Sequence, residues 1–272
     1  MNKRQLIKTM SQPWAIRAAS MAVIIDSTCS GDAASLLDME KIEKKEPCSY
    51  SVSDGLATIQ ISGVIGKKLP KWMAAFGMVD VDDIQKLVEQ ANADPAVKSI
   101  LLEIDSPGGS VTGVPEAAQT IRDSSKPVYA FSDTLMASAA YWIASGAAGI
   151  FASESALVGS IGVFVPILNM KKMYEAAGIE VEVIKSGALK AAGYPGTALT
   201  QAQRDDLQSS VDFVYSKFVA FISSRESANG QPGKDAMQGQ DFYGEQAVSA
   251  ALVDGISSRV EIISTLKKLQ NY

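Results

Sequence analysis

Segments typical of strands and helices alternate along most of this chain, and this alternation constrains the fold more than any other feature. Residues 56–64 alternate β-branched with other side chains, as a half-buried strand does, while residues 81–90 carry apolar side chains at helical spacing. Further strands are predicted at 99–104, 127–131, 149–152 and 181–184, and further helices at 115–122, 139–145 and 167–177. Strands separated by helices form βαβ units. The sequence therefore predicts an α/β fold with a largely parallel sheet.

A long amphipathic helix is predicted after residue 200. Thr200 and Gln203 have the spacing of a capping box at its start. Apolar side chains then follow at intervals of three or four residues, at Leu207, Val211, Val214, Phe218 and Ile222. Such a stripe usually packs against the core of its own domain, and a subunit interface is the alternative.

A polar stretch separates the N-terminus from the main body of the chain. Residues 26–47 mix Ser, Gly and Asp with a cluster of Lys and Glu, a composition typical of a linker or a solvated helix. We therefore expect an N-terminal segment with its linker over residues 1–48 and the main domain over residues 49–272. A surface loop is predicted over 227–240, where glycines recur.

Composition excludes several classes of function. The net charge is −5 and no run of Lys or Arg occurs, so we expect no nucleic-acid partner. Cys29 and Cys48 alone form neither a disulfide framework nor a zinc site, which favours a reducing, cytoplasmic setting and no bound metal. The apolar run 21–25 is shorter than the core of a signal peptide, and no stretch of about 18 apolar residues predicts a membrane span.

The chain contains no histidine, so the usual base for a serine nucleophile is absent. Ser138 lies among small residues where a turn meets a predicted helix, and Lys190 lies in a loop of small residues without carboxylates. A Ser-Lys dyad is a known variant of the catalytic triad. A lysine acts as a base where burial disfavours its charged form. Taken singly, the serine is more often a helix N-cap and the lysine more often an exposed side chain.

A pair of glycines follows the strand predicted at 99–104. Residues without a Cβ let the backbone approach a ligand closely, so the N–H groups of Gly108 and Gly109 are candidate donors to an oxyanion. The N–H of Ala139, next to Ser138, is a third candidate. A simple tight turn is the alternative for the glycine pair.

As an ordered set, these segments resemble the signal peptide peptidase A family of serine peptidases, which has the ClpP/crotonase fold. The similarity extends from about Ala57 to Val260. It is carried by residues 105–109 (Asp-Ser-Pro-Gly-Gly), 137–144, 158–163 (Val-Gly-Ser-Ile-Gly-Val), 184–190 and 243–255. The chain departs from the pattern at Ala139 and Ala140, where bacterial members usually have a pair of glycines.

The resemblance implies a role for each site residue. Ser138 is the nucleophile, and Lys190 rather than Lys185 is the general base. Ser160 orients that lysine, and the oxyanion donors come from the turn of Gly108 and Gly109 and from Ala139. The resemblance also implies peptidase activity for residues 49–272 without ATP, cofactor or metal, and a homo-oligomer in which adjacent protomers can share a site.

Two biological roles occur within the family. Membrane-anchored members degrade signal peptides, and we expect no anchor here. Phage members of the capsid protein C type begin with a motif like Pro13–Ile16 and process scaffold or portal-associated proteins during head maturation. We therefore expect a scaffold, portal or capsid protein as substrate, in the host cytoplasm or the assembling phage head. The alternatives are a signal-peptide-degrading peptidase, a crotonase-type acyl-CoA hydratase or isomerase, and a non-catalytic capsid-assembly protein.

Overall fold

The computed structural model describes residues 13–18, 20–21, 48–70, 73–74 and 77–269. The predicted linker 26–47 lies outside the described residues. Two compact units divide the chain: Ala15–Gly162 with Phe218–Tyr272, and Met1–Trp14 with Val163–Lys217. We call the first the sheet unit. The second is the insert unit, because Val163–Lys217 interrupts the sheet unit in sequence.

The strands are β1 (Trp14–Ile16), β2 (Cys48–Ser53), β3 (Leu56–Ser62), β4 (Val64–Gly66), β5 (Met78–Asp80), β6 (Ser99–Asp105), β7 (Gly108–Ser110), β8 (Val128–Ser132), β9 (Leu135–Ala137), β10 (Gly149–Ala152), β11 (Leu157–Gly159), β12 (Asp241–Tyr243) and β13 (Gly255–Ile256). The helices are α1 (Val81–Ala93), α2 (Val114–Arg122), α3 (Ala139–Ala144), α4 (Lys171–Ala176), α5 (Gln201–Ser223), α6 (Gly244–Ser249) and α7 (Arg259–Leu269).

Three sheets are formed by these strands. The largest has the order β13-β10-β8-β6-β3-β2 and is parallel apart from the antiparallel pair β2–β3. A four-stranded sheet has the order β1-β7-β4-β5, and a three-stranded sheet has the order β12-β11-β9. The predicted α/β fold with parallel strands is thereby confirmed.

Both faces of the large sheet are apolar, which explains why the sequence forms it. On β3, Ala57, Ile59 and Ile61 are buried on one face. On the other face, Leu56, Leu101 and Phe131 form a cluster with Ile262 and Leu266 of α7. Each of the Leu, Ile and Phe side chains stabilises the fold by about 1.5–3 kcal/mol when it leaves water. The sheet is therefore a rigid base for the segments that leave its strands.

Helix α1 shows how the chain begins and ends these elements. The Asp80 carboxylate accepts the N–H of Asp82 over 2.9 Å, which satisfies one donor at the start of the helix. The helix ends at Ala93, just before Asp94-Pro95, since the residue before a proline disfavours helical geometry.

The long helix begins as predicted. At its start the Thr200 N–H donates to Gln203 Oε1 over 3.0 Å, and the Gln203 N–H donates to Thr200 Oγ1 over 3.3 Å, which confirms the capping box. Phe218 and Ile222 are buried, so core packing is confirmed for the C-terminal end of the stripe. The other three stripe residues, Leu207, Val211 and Val214, are half-buried.

The strand predicted at 181–184 is wrong. These residues have no regular structure, and Ile184 is 94 % exposed. A strand needs a neighbour to satisfy its backbone groups, and none pairs with it in the described part of the insert unit. The helix predicted at 167–177 is shortened to α4, and the loop at 227–240 contains one 3-10 turn, Lys234–Met237.

Candidate active site

Ser138 occupies a strained turn between β9 and α3. Its backbone has φ 56° and ψ −119°, a region that costs a non-glycine residue about 1–3 kcal/mol. The Ser138 N–H donates to the carbonyl oxygen of Gly159 over 2.7 Å, and its own carbonyl accepts the N–H of Trp142 over 2.9 Å. Strand and helix thus hold the strained conformation from both sides. Such a strand-turn-helix elbow is typical of nucleophilic serines.

The hydroxyl of Ser138 is buried and unsatisfied. The residue is 1 % exposed, and Oγ has no hydrogen-bond partner among the described residues. Leaving a buried hydroxyl without a partner costs about 1–3 kcal/mol, so such groups are rare in stable folds. The residues around Ser138 thus fix the position of Oγ and leave its hydrogen-bonding capacity unused.

Gly108 and Ala139 lie side by side next to Ser138. Gly108 has φ 91°, and a Cβ added there would stand 2.8 Å from the Ala139 nitrogen and 2.9 Å from the Ala137 carbonyl oxygen. Only glycine permits this approach. The structure therefore places two of the three predicted oxyanion donors at one corner. Gly109, the third, packs against β4, where an added Cβ would stand 1.9 Å from the Ile65 carbonyl oxygen.

Ser106 was not assigned a role from the sequence. Its hydroxyl donates to the Gly63 carbonyl over 2.6 Å and accepts the Gly108 N–H over 3.2 Å. Its backbone bonds to Leu135 O over 2.7 Å and to Ala137 N over 3.1 Å. Ser106 thus ties the glycine turn to the strand that precedes the nucleophile. The sequence signal for this role is a serine two residues before a glycine in a turn, because the serine hydroxyl can there accept a backbone N–H.

Ser160 directly follows β11, the strand that pairs with β9 just before Ser138. Ala137 and Gly159 are paired in parallel strands, so Ser138 and Ser160 follow at the same level. Ser160 has φ 52°, is 7 % exposed and donates its N–H to Gln240 O over 2.8 Å. Among the described residues, its hydroxyl makes one long contact, of 3.5 Å to Gly239 O. The Ser160 hydroxyl can therefore exchange this contact for a hydrogen bond to a stronger donor or acceptor.

Buried aromatic side chains hold α3 in place behind the nucleophile. Trp142 stacks on Phe218 with ring centroids 4.4 Å apart and planes 6° from parallel. The Tyr141 hydroxyl donates to the Leu252 carbonyl over 2.7 Å, and burial raises the pKa of this tyrosine far above its ordinary value. The helix is therefore anchored to α5 and to the C-terminal part of the sheet unit.

Lys190 belongs to the insert unit, so its pairing with Ser138 stays a prediction. Its side chain is exposed, and its carbonyl accepts Lys185 Nζ and Gln203 Nε2, both over 3.2 Å. Lys185 Nζ also donates to Ala188 O over 2.9 Å. Lys185, which the resemblance does not assign as the base, thus holds the loop around Lys190, and Lys190 itself is exposed.

Comparison with known proteins identifies the family. The sequence profile of peptidase family S49 matches residues 120–272, more than half of the chain. The chain belongs to peptidase family S49. The predicted family resemblance is thus confirmed. Within the described residues of this S49 member, no helix is long and apolar enough to cross a membrane.

Several proteins are similar to this S49 member. Capsid assembly protease C of Escherichia phage lambda is 30 % identical over 93 % of the chain, and head-tail preconnector protein GP5 of Enterobacteria phage P21 is 29 % identical over 82 %. The chain spans 58 % and 44 % of the lengths of these relatives. Protease 4 of Haemophilus influenzae is 27 % identical over 82 % of the chain and 36 % of its own length.

Among solved structures, an enoyl-CoA hydratase/isomerase family member has a TM-score of 0.49 at 19 % identity. The match covers 84 % of this chain and 78 % of that one.

Proposed function

We propose that this S49 member is an ATP-independent serine endopeptidase with Ser138 as nucleophile and Lys190 as general base. One observation carries the proposal: Ser138 is held in a strained, buried turn with an unpartnered hydroxyl, beside the corner formed by Gly108 and Ala139. Strain and an unsatisfied buried group both reduce stability. Chemistry at the Ser138 hydroxyl explains why the protein retains both the strained backbone and the unsatisfied buried group.

Acylation would begin when the neutral amine of Lys190 takes the proton of Ser138 Oγ as the oxygen attacks the scissile carbonyl carbon. The carbonyl oxygen becomes an oxyanion, which the N–H of Ala139 stabilises, joined by the N–H of Gly108 once it exchanges its bond to Ser106 Oγ for the oxyanion. The C–N bond then breaks, and the leaving amine takes the proton from the Lys190 ammonium. The product is an acyl-enzyme ester at Ser138.

Deacylation would use the same groups. Lys190 takes a proton from water as the water oxygen attacks the ester carbon, and the ester C–O bond breaks with the proton returning to Ser138 Oγ. Ser160 serves as a positioning residue for Lys190, because its buried hydroxyl has only a long contact of its own. The cycle needs no cofactor and no metal.

The exposure of Lys190 supports an assembly of several copies. A lysine base must be shielded from water, and the insert unit also leaves many large apolar side chains exposed: Leu168, Met173, Ile179, Ile184, Leu189, Tyr194 and Phe213. Exposed apolar patches typically mark interfaces. We infer that a second copy covers this surface and shields Lys190, so that adjacent protomers share a site.

Mixing two inactive variants tests the assembly. Co-assembled Ser138→Ala and Lys190→Ala protomers should regain part of the wild-type activity, because some interfaces then carry one intact pair. Mixtures that form and stay inactive would show that serine and lysine act within one chain. A monomeric, active protein in light scattering would contradict the oligomer.

The phage relatives support a capsid-related substrate. The lambda protein, named for capsid assembly, matches 93 % of the chain. We propose scaffold, portal or capsid protein as substrate, cleaved in the host cytoplasm or the assembling head, after small or medium apolar residues. A peptide-library digest with cleavage mainly after charged residues would contradict this specificity. A peptidase that degrades signal peptides is the alternative, because a putative signal peptide peptidase SppA of Enterococcus faecium is 32 % identical over 66 % of the chain.

Proteolysis of casein or a scaffold protein tests the function. Ser138→Ala should abolish cleavage and leave the fold intact, since it removes one oxygen and no packing. Ser153→Ala is the matched control, because Ser153 lies in the same unit and donates to Asp133 O outside the site. Cleavage by Ser138→Ala at the rate of a wild-type protein that does cleave would overturn the assignment.

A further inference from the structure

Strand β1 occupies an edge beside the candidate oxyanion site. It forms the end of the sheet with order β1-β7-β4-β5, so β7 has β4 on one side and β1 on the other. β7 contains Gly108 and Gly109. Both edges of the strand that carries the candidate oxyanion donors are therefore already paired.

The backbone of Ala15 lies at the corner where the oxyanion would form. The Ala15 carbonyl oxygen is 2.4 Å from the position of a Cβ on Gly108, and the Ala139 nitrogen is 2.8 Å from that same position. Two residues further on, the Arg17 N–H donates to the Pro107 carbonyl over 2.9 Å. The chain thus runs along the glycine turn with a peptide carbonyl beside the candidate donors.

An ion pair holds this segment in the sheet unit. Arg17 Nε lies 2.6 Å from Asp241 Oδ2 on β12, and the two side chains are 33 % and 21 % exposed. Ala15 and Ile16 are buried. The attachment therefore combines strand pairing with β7, the backbone bond to Pro107, two buried apolar side chains and one partly buried ion pair.

A peptide substrate with its scissile carbonyl at the oxyanion donors would run along β7. Proteins commonly bind an extended peptide by adding it as a strand to an open sheet edge, where backbone hydrogen bonds align it. β7 offers one edge beyond β4, and β1 fills it. We propose that residues 15–17 act as a built-in occupant of the substrate-strand position and hold the enzyme latent until they withdraw. This inference rests on the proposed function of Ser138.

The rate of Ser138 modification by a fluorophosphonate tests the inference in the full chain. Arg17→Glu places like charges opposite each other at Asp241, and Ile16→Asp puts a charge in a buried position. Both should release β1. Because only the open fraction of molecules reacts, each variant should be modified at least about fivefold faster than wild type. Arg17→Lys, which keeps the ion pair, should stay slow.

The peptide Gln-Pro-Trp-Ala-Ile-Arg, which copies residues 12–17, should slow the modification of Arg17→Glu again, and a scrambled peptide should not. A folded Arg17→Glu variant that reacts at the wild-type rate would overturn the inference. Should Ile16→Asp fail to fold, Arg17→Glu decides the question. No modification of Ser138 in any variant would instead overturn the proposed function, and the inference with it.

Discussion

The N–H of Ser138 donates to the carbonyl oxygen of Gly159 over 2.7 Å, so the candidate nucleophile is fixed by the strand that leads into Ser160. This bond connects two segments that are 21 residues apart in sequence and, with the bond from Trp142 N–H to Ser138 O, holds Ser138 at φ 56°. The strain at Ser138 is thus a property of the pairing between β9 and β11. This strain can be measured as a difference in folding stability, separately from catalysis.

Relief of that strain should stabilise the fold. Ser138→Gly adopts a positive φ without steric cost, whereas Ser138→Ala keeps the strain. We expect Ser138→Gly to be about 1 kcal/mol more stable than Ser138→Ala. Urea denaturation of both variants checks this. A glycine variant less stable than the alanine variant would show that the turn is unstrained.

Gly108 should tolerate no side chain. In Gly108→Ala the added Cβ would meet Ala15 O, Ala139 N and Ala137 O at 2.4–2.9 Å. We expect loss of peptidase activity and a stability loss of about 3 kcal/mol or more. Gly230→Ala is the matched control, because Gly230 has a similar φ of 86° with nothing within 4 Å of an added Cβ. It should cost only about 1–2 kcal/mol from backbone strain and retain activity.

The two lysines of the 185–190 loop should respond differently to arginine. A guanidinium cannot give up its proton in the working range, so Lys190→Arg should lower the rate of peptide cleavage by about 10²-fold or more. Lys185→Arg should retain most activity, because it keeps a cationic donor for Ala188 O. The opposite pattern would identify Lys185 as the base.

Tyr141 should make the fold sensitive to alkaline pH. Burial raises its pKa above the ordinary value of 10.0, so the folded state holds the phenol proton more tightly than the unfolded state. Its contribution to stability is present below pH 10.0 and declines as the pH rises above it, by up to about 1.4 kcal/mol per pH unit. The stability of Tyr141→Phe should therefore fall less steeply with rising pH than that of the wild type, because the variant has no phenol proton at this position. The free energy of unfolding of both proteins should be measured between pH 9 and pH 11, ~1 unit either side of the unperturbed tyrosine pKa. Identical slopes of that free energy against pH would contradict the prediction.

Regular local patterns made most of the large sheet predictable. Strands β3, β6, β8 and β10 were predicted to within two residues, because their buried β-branched and apolar runs are visible in sequence. The strand at 181–184 was wrong although its pattern is similar, since a strand also needs a neighbouring edge. Three-residue strands such as β1 and β12 carry no pattern of their own and depend on tertiary pairing.

The candidate site was predictable as a set of segments but not as an arrangement. The glycine turn and Ser138 stand out by composition, and the structure brings Gly108, Ala139 and Ser138 together. The role of Ser106 depends on hydrogen bonds to Gly63 and Gly108, which join separate elements. The place of Ala15 beside Gly108 follows from strand order. Neither relationship leaves a local signal in the sequence.

Mapping the covalent adduct of a fluorophosphonate tests the central claim most directly. Wild-type protein should be incubated until the reaction is complete, digested and analysed by tandem mass spectrometry, with Ser138→Ala and Lys190→Ala treated alike. We predict one adduct per chain on Ser138 in wild type, none on Ser138→Ala, and strongly reduced modification in Lys190→Ala. An unmodified Ser138 in folded wild-type protein, or an adduct on another serine that accounts for the activity, would contradict the account.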